Sequence, residues 1–216
     1  MMMINRRRVY GGGESGDPWA QYAVDLGLPS GTLWASGNIC KDSQGNYYIG
    51  NPTDSGCYFS WGNIDGHNKG EGYSFNETNY NATAGASLTS SIAITDAEHD
   101  AAVARLGNGW HLPSYSNIYE IAFGNGVIRE YTSVNGVNGV LITSKNNGNT
   151  IFLPCTGSYV RGTFNSNNGN CWSGTINGKG AAYYIGSSTS GIQMGSHTFY
   201  GARFGGFAIR PVKLPT

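Results

Sequence analysis

The sequence predicts an α+β fold with two helices, short antiparallel strands and long loops. Three observations carry this prediction: two helix signals lie close together near the middle of the chain, short apolar segments alternate with turn residues elsewhere, and the segment 62–92 has no hydrophobic pattern. A few helices beside many separate strands are typical of the α+β class.

The two helices are predicted from their end signals. Thr95 and Glu98 have the spacing of a capping box before the segment HDAAVARL, and Gly107 ends that helix. Pro113-Ser114 begins the second helix and Gly124 ends it. Its predicted apolar stripe consists of Tyr115, Ile118, Ile121 and Ala122.

Short segments rich in apolar and β-branched residues predict the strands. They are 32–36, 57–61, 139–143, 150–154, 182–185 and 207–212. We expect the last of them to close the fold against the first strands and to bring the two ends of the domain together. The segment 62–92 is expected to be a long surface excursion.

Composition indicates recognition more than catalysis. Only 12% of the 216 residues are charged and the formal net charge is zero, so the basic footprint of a nucleic-acid-binding protein is missing. The chain has 34 Gly and 14 Tyr, and Gly, Asn, Ser and Tyr together are typical of adaptable binding surfaces. The same residues also fill turns, and that alternative stays open.

The N-terminal segment predicts a flexible leader over 1–18 and one domain over 19–216. Arg6–Arg8 form a basic cluster, but no apolar run follows it as a secretory signal would require. No segment has the length of a membrane span, so no membrane insertion is expected. We expect the chain to stay in the cytosol of the cell that makes it, unless an export signal has been removed.

The sequence contains none of the usual motifs for chemistry. It has no phosphate-binding glycine loop, no H-E-x-x-H and no nucleophile elbow, so we expect no enzyme, no catalytic residue, no metal and no cofactor. The acidic and histidine cluster at 96–100 is better explained by solvation of a helix N-terminus. The four cysteines, which have no C-x-x-C spacing, are expected to be free thiols. They are Cys40, Cys57, Cys155 and Cys171, and a pairing 40–57 or 155–171 is the alternative.

Five segments occur in an order that carries a resemblance to a known family. They are DSGCYFSWGN (54–63), DAAVARLGNGWHLPS (100–114), VNGVNG (134–139), TIFLPCTGSY (150–159) and GFAIRPV (206–212). Together they resemble the Fibrobacter succinogenes major paralogous domain family over Val24 to Val212. The resemblance implies a C-type lectin-like fold, related to that of formylglycine-generating enzymes. Trp61 and Trp110 are expected to be buried. The calcium-site triplets of sugar-binding C-type lectins are missing from the sequence.

A second resemblance is to the variable proteins of diversity-generating retroelements, which diversify adenines of Asn-type codons near the C-terminus. Many residues in the segments 159–180 and 193–204 are of types that an Asn codon can produce when only its adenines change. Lys179, Gln193 and Met194 do not fit this Asn-codon rule. A general Gly, Asn and Ser bias is the alternative explanation. The ligand-binding residues that follow from this resemblance and from the predicted loops are Tyr159, Arg161, Thr163, Phe164, Asn165, Asn167, Asn168, Asn170, Cys171, Ser173, Asn177, Tyr184, Gly186, Ser196, His197, Thr198, Phe199, Tyr200 and Ala202.

These resemblances imply a receptor-recognition protein with a variable surface, carried on the virion of a phage of Bacteroidota. The expected partner is a protein or glycan of the host-cell surface, with no nucleic acid, and homo-oligomerisation stays open. The alternative is a bacterial cell-surface adhesin or pilus-tip module of fixed specificity.

Overall fold

The computed structural model describes residues 16–88, 93–177, 181–196 and 202–214. The α-helices in this part of the chain are α1 (Glu77–Asn81), α2 (Ala101–Leu106) and α3 (Tyr115–Phe123). The first strands are β1 (Ala23–Asp25), β2 (Leu33–Ala35), β3 (Ile39–Lys41), β4 (Tyr47–Ile49) and β5 (Trp110–His111). The later strands are β6 (Val127–Val134), β7 (Val137–Ser144), β8 (Thr150–Pro154), β9 (Ser158–Val160), β10 (Thr163–Asn165), β11 (Asn168–Asn177), β12 (Ala181–Ser188), β13 (Gly191–Ser196) and β14 (Val212–Lys213). Short 3₁₀ turns span Ala20–Tyr22, Ala84–Ser87 and Ala202–Phe204.

Several small antiparallel sheets make up most of the fold. Their strand orders are β1-β2-β14-β5, β6-β7-β8, β11-β12-β13, β3-β4 and β9-β10. Strands account for 39% of the residues and helices for 16%. The predicted α+β class with two helices is therefore wrong, because the chain is β-rich. The C-type lectin-like architecture that accompanied that prediction is not confirmed.

The helix ends show how far local signals carry. Ser114 caps α3 through a capping box with Asn117, and Gly124 follows its last residue, as predicted. The α2 helix begins later than predicted, because its cap is the buried Asp100 and not Thr95. The Oδ1 atom of Asp100 accepts hydrogen bonds from two N–H groups of the first turn, and Oδ2 accepts one from Leu112 across the fold. No helix in the described part of the chain is long and apolar enough to cross a bilayer.

The apolar runs predict some of the strands correctly. The segments 139–143, 150–154 and 182–185 lie within β7, β8 and β12, and 32–36 contains β2. The predicted strand 57–61 is wrong, because only Tyr58 and Phe59 form isolated bridges there. The segment 62–88 is largely irregular as expected, although it contains α1.

The predicted loops over 159–180 and 193–204 are wrong for most of their described length. The segment 159–177 contains most of β9, all of β10 and all of β11, and β13 extends to Ser196. Arg161 and Gly162 have φ angles of 50° and 79°, the left-handed pair that a tight two-residue hairpin requires. Backbone hydrogen bonding across such hairpins can form strands even where apolar and polar side chains do not alternate along the sequence.

The segment 207–213 joins the sheets, but it is not the continuous strand that was predicted. Phe207 pairs with Phe59, Ala208 pairs with Cys171, and Val212 pairs with Trp34 of β2. The last pairing confirms the expected closure against the first strands. A salt bridge of 2.9 Å between Lys213 Nζ and Asp17 Oδ2 holds the two ends of the described chain together.

Two apolar clusters form the core and meet along β11. Trp61 and Trp110 belong to the first cluster and are buried, as predicted. Trp172 belongs to the first cluster and its neighbour Cys171 to the second. Because successive side chains of a strand point to opposite faces, β11 forms part of the boundary between the two clusters.

A buried arginine links these clusters to the segment 207–213. Arg210 is fully buried, and its guanidinium donates to Asn38 Oδ1 at 2.9 Å, to Ala35 O at 3.1 Å and to Phe152 O at 2.8 Å. No carboxylate of the described residues forms a salt bridge with it. Burial lowers the pKa of Arg210 to about 10, which leaves the group charged at neutral pH.

The four cysteines are free thiols, as predicted. Burial raises the pKa of Cys40 and of Cys171 to about 11 and that of Cys57 to about 12. A thiol reacts through its thiolate form, so these buried groups are chemically inert at neutral pH.

Candidate ligand-binding surface

The hairpin β9–β10 is the element around which the predicted binding residues gather. Tyr159 and Phe164 are directly paired across it, and their ring centroids lie 5.0 Å apart. Three other predicted residues, Arg161, Thr163 and Asn165, are exposed on the same hairpin. Asn167 follows in the exposed turn to β11, where its N–H donates to Asn165 Oδ1.

Five ring residues from two parts of the chain form a partly exposed cluster, which we call the aromatic patch. It consists of His67, Tyr73, Phe75, Tyr159 and Phe164. The rings of His67 and Tyr73 are stacked, with centroids 3.6 Å apart and planes inclined by 6°. The rings of Phe75 and Tyr159 lie 4.7 Å apart. Tyr58, which is only 1% exposed, lies beneath the hairpin and contacts the rings of Tyr159 and Phe164 edge-on.

Two glycines allow these rings to pack closely. The backbone of Gly206 pairs with that of Tyr159 in both directions, at 2.8 and 3.0 Å. A Cβ at Gly206 would lie 2.7 Å from carbons of the Phe75 ring. Gly157 has a φ of 103°, and any Cβ there would collide with the ring of Phe164. Gly157 and Gly206 therefore allow the rings of the aromatic patch to pack against the backbone.

Few charges surround the aromatic patch. Lys69 Nζ lies 4.1 Å from the centre of the Phe164 ring, a cation–π contact at an exposed site. Glu71 accepts from Lys41 Nζ at 3.0 Å and lies 3.7 Å from His67 Nδ1. Burial and the nearby Lys41 lower the pKa of His67, so the imidazole is neutral at pH 7 and acts as a flat ring.

A small cleft lies on the other side of the hairpin. Four of the residues that line it were predicted as binding residues: Asn168, Asn170, Tyr184 and Gly186. Four others were not predicted: Val160, Ser187, Ser188 and Gln193. Its volume is about 120 Å³, well below the roughly 300 Å³ at which sites for whole small molecules begin. Amide and hydroxyl groups dominate its lining, so the cleft is suited to hydrogen bonding.

The cleft and the aromatic patch share the hairpin as their frame. Tyr159 belongs to the patch, and its neighbour Val160 lines the cleft. Adjacent residues of a strand point to opposite faces, so the two features flank β9. Ser158 Oγ donates to Asn168 Oδ1 at 2.9 Å and accepts from Asn170 Nδ2 at 3.1 Å, which ties β9 to β11.

Four predicted binding residues are buried: Asn170, Cys171, Ser173 and Gly186. Cys171 was expected in an exposed loop but is 6% exposed, because its backbone pairs with Ala208 in the core. Ser173 is fully buried, and its carbonyl accepts from Trp61 Nε1 at 2.8 Å. Asn170 is 6% exposed and reaches the surface only through the cleft. Placing Cys171 and Ser173 in the binding surface is therefore wrong.

The remaining predicted residues cannot be assigned to this surface. His197, Thr198, Phe199 and Tyr200 lie outside the described residues. For Asn177, Ser196 and Ala202 only the backbone is described, in β11, in β13 and in a 3₁₀ turn.

Several residues of the surface carry weak sequence signals. Tyr73 and Phe75 lie in the segment 62–92, which has no periodicity, and only the aromatic pair within GYSF marks them. Gln193 does not fit the Asn-codon rule, yet it lines the cleft. These residues reach the surface through contacts with residues that are far away in the sequence, and a local sequence pattern cannot predict such contacts.

One cluster of potential metal ligands lies among the described residues, and none of its members belongs to the hairpin β9–β10. Asp96, Glu98 and His99 bring one ligand atom each within 4.8 Å of the others. Asp96 Oδ1 accepts from the N–H groups of Glu98 and His99, and His99 Nδ1 lies 2.8 Å from the same atom. These bonds stabilise the turn before α2, in agreement with the interpretation of this cluster as part of a helix start.

Comparisons of the chain with protein-family models, with curated proteins and with solved structures give no match.

Proposed function

We propose that this chain is a recognition domain that binds a protein or glycan of a host-cell surface through the hairpin β9–β10. The observation that carries the proposal is the convergence of predicted binding residues on one frame. Tyr159 and Phe164 contribute rings on one side of the hairpin, and Asn168, Asn170 and Tyr184 line the cleft on the other.

The chemistry of this surface supports binding of an uncharged or weakly charged ligand. Partly exposed rings offer large contact area at low entropic cost, and the amides and hydroxyls of the cleft offer directional hydrogen bonds. Lys69 adds a cation over the ring of Phe164, and Arg161 adds a second one at the exposed turn of the hairpin. The surface is shallow, so the ligand is expected to lie across the hairpin and not within a pocket.

Diversification by a retroelement is the finer part of the proposal. Four residues that fit the Asn-codon rule, Arg161, Thr163, Asn165 and Asn167, are exposed on the hairpin or beside it. Substitution at such positions leaves the core unchanged. The virion of a phage remains the proposed carrier, on the basis of the resemblance.

A cell-binding assay tests the binding surface. Fluorescently labelled protein is incubated with intact cells of a panel of gut Bacteroidota strains, and bound protein is measured by flow cytometry. We expect binding to at least one strain, and we expect Thr163→Lys to weaken it by about tenfold or more, because a bulky cation enters the centre of the contact.

The matched control is Ser133→Lys, which adds the same side chain at an exposed strand position of the hairpin β6–β7. It should bind like the unmodified protein. Binding to no strain of the panel, or equal loss for both variants, would contradict the proposal. Diversification is tested separately by sequencing the gene across its source population, where substitutions should concentrate at codons 161, 163, 165 and 167 and spare codons 171 and 173.

A further inference from the structure

The cleft beside the hairpin β9–β10 contains a nearly buried side-chain amide with an unused acceptor. Asn170 is 6% exposed and lines the cleft. Its Nδ2 donates to Ser158 Oγ, but its Oδ1 has no hydrogen-bond partner in the part of the chain that the structure describes. Oδ1 is not one of the atoms that are sealed from solvent without a partner, so it opens onto the cleft. An acceptor in this position needs a donor from whatever occupies the cleft.

The pairing of three strands forms the hollow into which this atom opens. Asn170 of β11, Gly186 of β12 and Gln193 of β13 lie opposite one another in one row. Opposite residues of antiparallel strands point to the same face, so the side chains of Asn170 and Gln193 flank the backbone of Gly186. Two strand spacings, about 10 Å, separate them. A Cβ at Gly186 would lie 2.8 Å from Oδ1 of Asn170, so the glycine leaves this atom accessible.

Ser158 fixes which end of each neighbouring amide faces the cleft. Its Oγ accepts from Nδ2 of Asn170 at 3.1 Å and donates to Oδ1 of Asn168 at 2.9 Å. Oδ1 of Asn170 is therefore left as an acceptor. Nδ2 of Asn168, which has no partner among the described residues, is left as a donor. Both amides are oriented before any ligand arrives, so binding costs little side-chain entropy.

The lining of the cleft excludes charged and fully apolar occupants. All of its lining residues are uncharged at neutral pH, and burial raises the pKa of Tyr184, so its hydroxyl stays protonated. An ion would lose its hydration there without gaining an opposite charge. An apolar group would leave Oδ1 of Asn170 unpaired. The occupant that the cleft fits is a neutral group that both donates and accepts.

We propose that the cleft binds a neutral amide group of the ligand, which donates its N–H to Oδ1 of Asn170 and accepts from Nδ2 of Asn168 through its carbonyl. Acetamido sugars and the side chains of Asn and Gln carry such a group. This inference rests on the proposed function, because it names the chemical group that a ligand lying across the hairpin places in the cleft.

The size and the walls of the cleft favour an amide over hydroxyl groups. A cavity of about 150 Å³ accommodates the six ring atoms of benzene, so the cleft, at about 120 Å³, accommodates about four or five non-hydrogen atoms. An acetamide unit has four. Val160 and the ring of Tyr184 also line the cleft and offer apolar contact to the carbon next to the amide. A single hydroxyl fills little of this space, and a pair of hydroxyls presents no methyl group to these two side chains.

Four small molecules of the same planar shape test the chemistry: acetamide, acetone, acetate and acetamidinium. Each is titrated into isotope-labelled protein, and NMR spectra follow the backbone N–H of Gly186 and the side-chain amides of Asn168 and Asn170. We expect acetamide to shift these signals in a saturable way. It should bind about fivefold or more tightly than the other three, because it alone offers an N–H donor and a carbonyl without a charge.

Two further pairs of molecules identify the source of the amide. N-acetyl-D-glucosamine is compared with D-glucose, and L-glutamine with L-glutamate. Preference for the acetamido sugar over glucose assigns the cleft to a glycan ligand. Preference for glutamine over glutamate assigns it to a side chain of a protein ligand.

Variants of the cleft test its location. Gly186→Ala places a methyl group 2.8 Å from Oδ1 of Asn170 and should abolish the response to acetamide. Circular dichroism establishes that this variant is folded. Gln193→Ala truncates an exposed side chain that lines the cleft, and it should weaken acetamide binding by about threefold or more. Gln44→Ala is the matched control, because it removes the same side chain at an exposed turn outside the cleft and should bind acetamide normally.

Four results would overturn the inference. They are no saturable response to acetamide, equal binding of acetamide and acetone, no preference within either of the two further pairs, and unchanged acetamide binding in both Gly186→Ala and Gln193→Ala. The cell-binding assay fails or succeeds separately, because Thr163 does not line the cleft. Cell binding that Thr163→Lys weakens, without amide binding, would contradict only this inference. Amide binding without cell binding would contradict only the proposed function.

Discussion

Gly206 lies so close beneath Phe75 that a Cβ at this position would stand 2.7 Å from three carbons of the ring. The φ angle of Gly206 is outside the left-handed region, so the backbone itself would accept another residue. The ring of Phe75, which is 2% exposed and packs on Tyr159, is what excludes a side chain there. Gly206, which is distant from Phe75 in the sequence, thus determines how closely the aromatic patch is packed.

Gly206→Ala is predicted to destabilise the protein by about 1–3 kcal/mol, because the added methyl group must displace a ring that is packed on both sides. The free energy of unfolding from urea denaturation measures this change. Phe75→Leu removes the ring and should make Gly206→Ala almost harmless in the double variant. Simple additivity of the two changes, within about 0.5 kcal/mol, would show that the two residues are not coupled.

Trp61 and Trp110 provide a matched pair of buried indoles. Trp61 Nε1 donates to the carbonyl of Ser173 at 2.8 Å, whereas Trp110 Nε1 has no hydrogen-bond partner in the part of the chain that the structure describes. Both residues are at most 1% exposed. Trp61→Phe is therefore predicted to cost about 1–2 kcal/mol more than Trp110→Phe, because it leaves a buried carbonyl unpaired. Thermal or urea unfolding measures the loss of stability in each variant. Equal losses would contradict a stabilising role of the hydrogen bond from Trp61 to Ser173.

Asp100 predicts a pH dependence of stability. Burial raises its pKa from 3.8 to about 6, although three backbone N–H groups act against the shift. The folded chain then binds the proton more tightly than the unfolded chain. The stabilisation from this group is complete below pH 3.8 and is lost as the pH rises to about 6, a change of about 3 kcal/mol.

Asp100→Asn tests this pH dependence. Between pH 4 and pH 7 the difference in unfolding free energy between the unmodified protein and the variant should fall as the pH rises. Asp96→Asn serves as the control. The hydrogen bond from His99 lowers the pKa of Asp96 despite its slight burial, so any pH effect at that position has the opposite sign. A flat difference curve for Asp100→Asn would show that the carboxyl titrates normally.

Arg210→Lys is predicted to destabilise the protein by about 2–4 kcal/mol. A lysine keeps the charge, but it cannot donate at once to Asn38, Ala35 and Phe152 in the geometry that the planar guanidinium satisfies. Arg105→Lys is the control and should cost less, because the Arg105 side chain is 29% exposed, pairs with Asp65 at the surface and donates to a single carbonyl, that of Ile64. Chemical denaturation measures both, and a similar small loss at the two positions would contradict the role of Arg210.

Part of the candidate surface follows from the sequence, and part does not. Residue type and position indicated Tyr159, Phe164, Asn168 and Tyr184, and the structure places them around one hairpin. The same reasoning included Cys171, which is buried, because a Gly- and Asn-rich segment resembles a loop whether or not its backbone is paired. Phe75 was missed, since its contact with Tyr159 joins residues from distant parts of the chain.

The features that depend on neighbouring residues could be predicted from the sequence alone. The α3 helix begins directly after Ser114 and ends before Gly124, because the capping side chain and the stop signal are neighbours of the helix along the chain. The apolar runs of β7 and β8 predicted those strands in the same way. The large apolar surface of the Trp61 and Trp110 side chains predicted that both would be buried.

Other features depend on contacts between residues that are distant along the chain. Asp100, and not Thr95, is the N-cap of α2, and it also accepts a hydrogen bond from Leu112. The local sequence pattern does not predict that contact. The polar segment of β11 became a strand because β12 pairs with it and Ala208 bridges to it. Backbone hydrogen bonds require no particular side chains, so a glycine- and asparagine-rich segment takes its conformation from the strands that it meets.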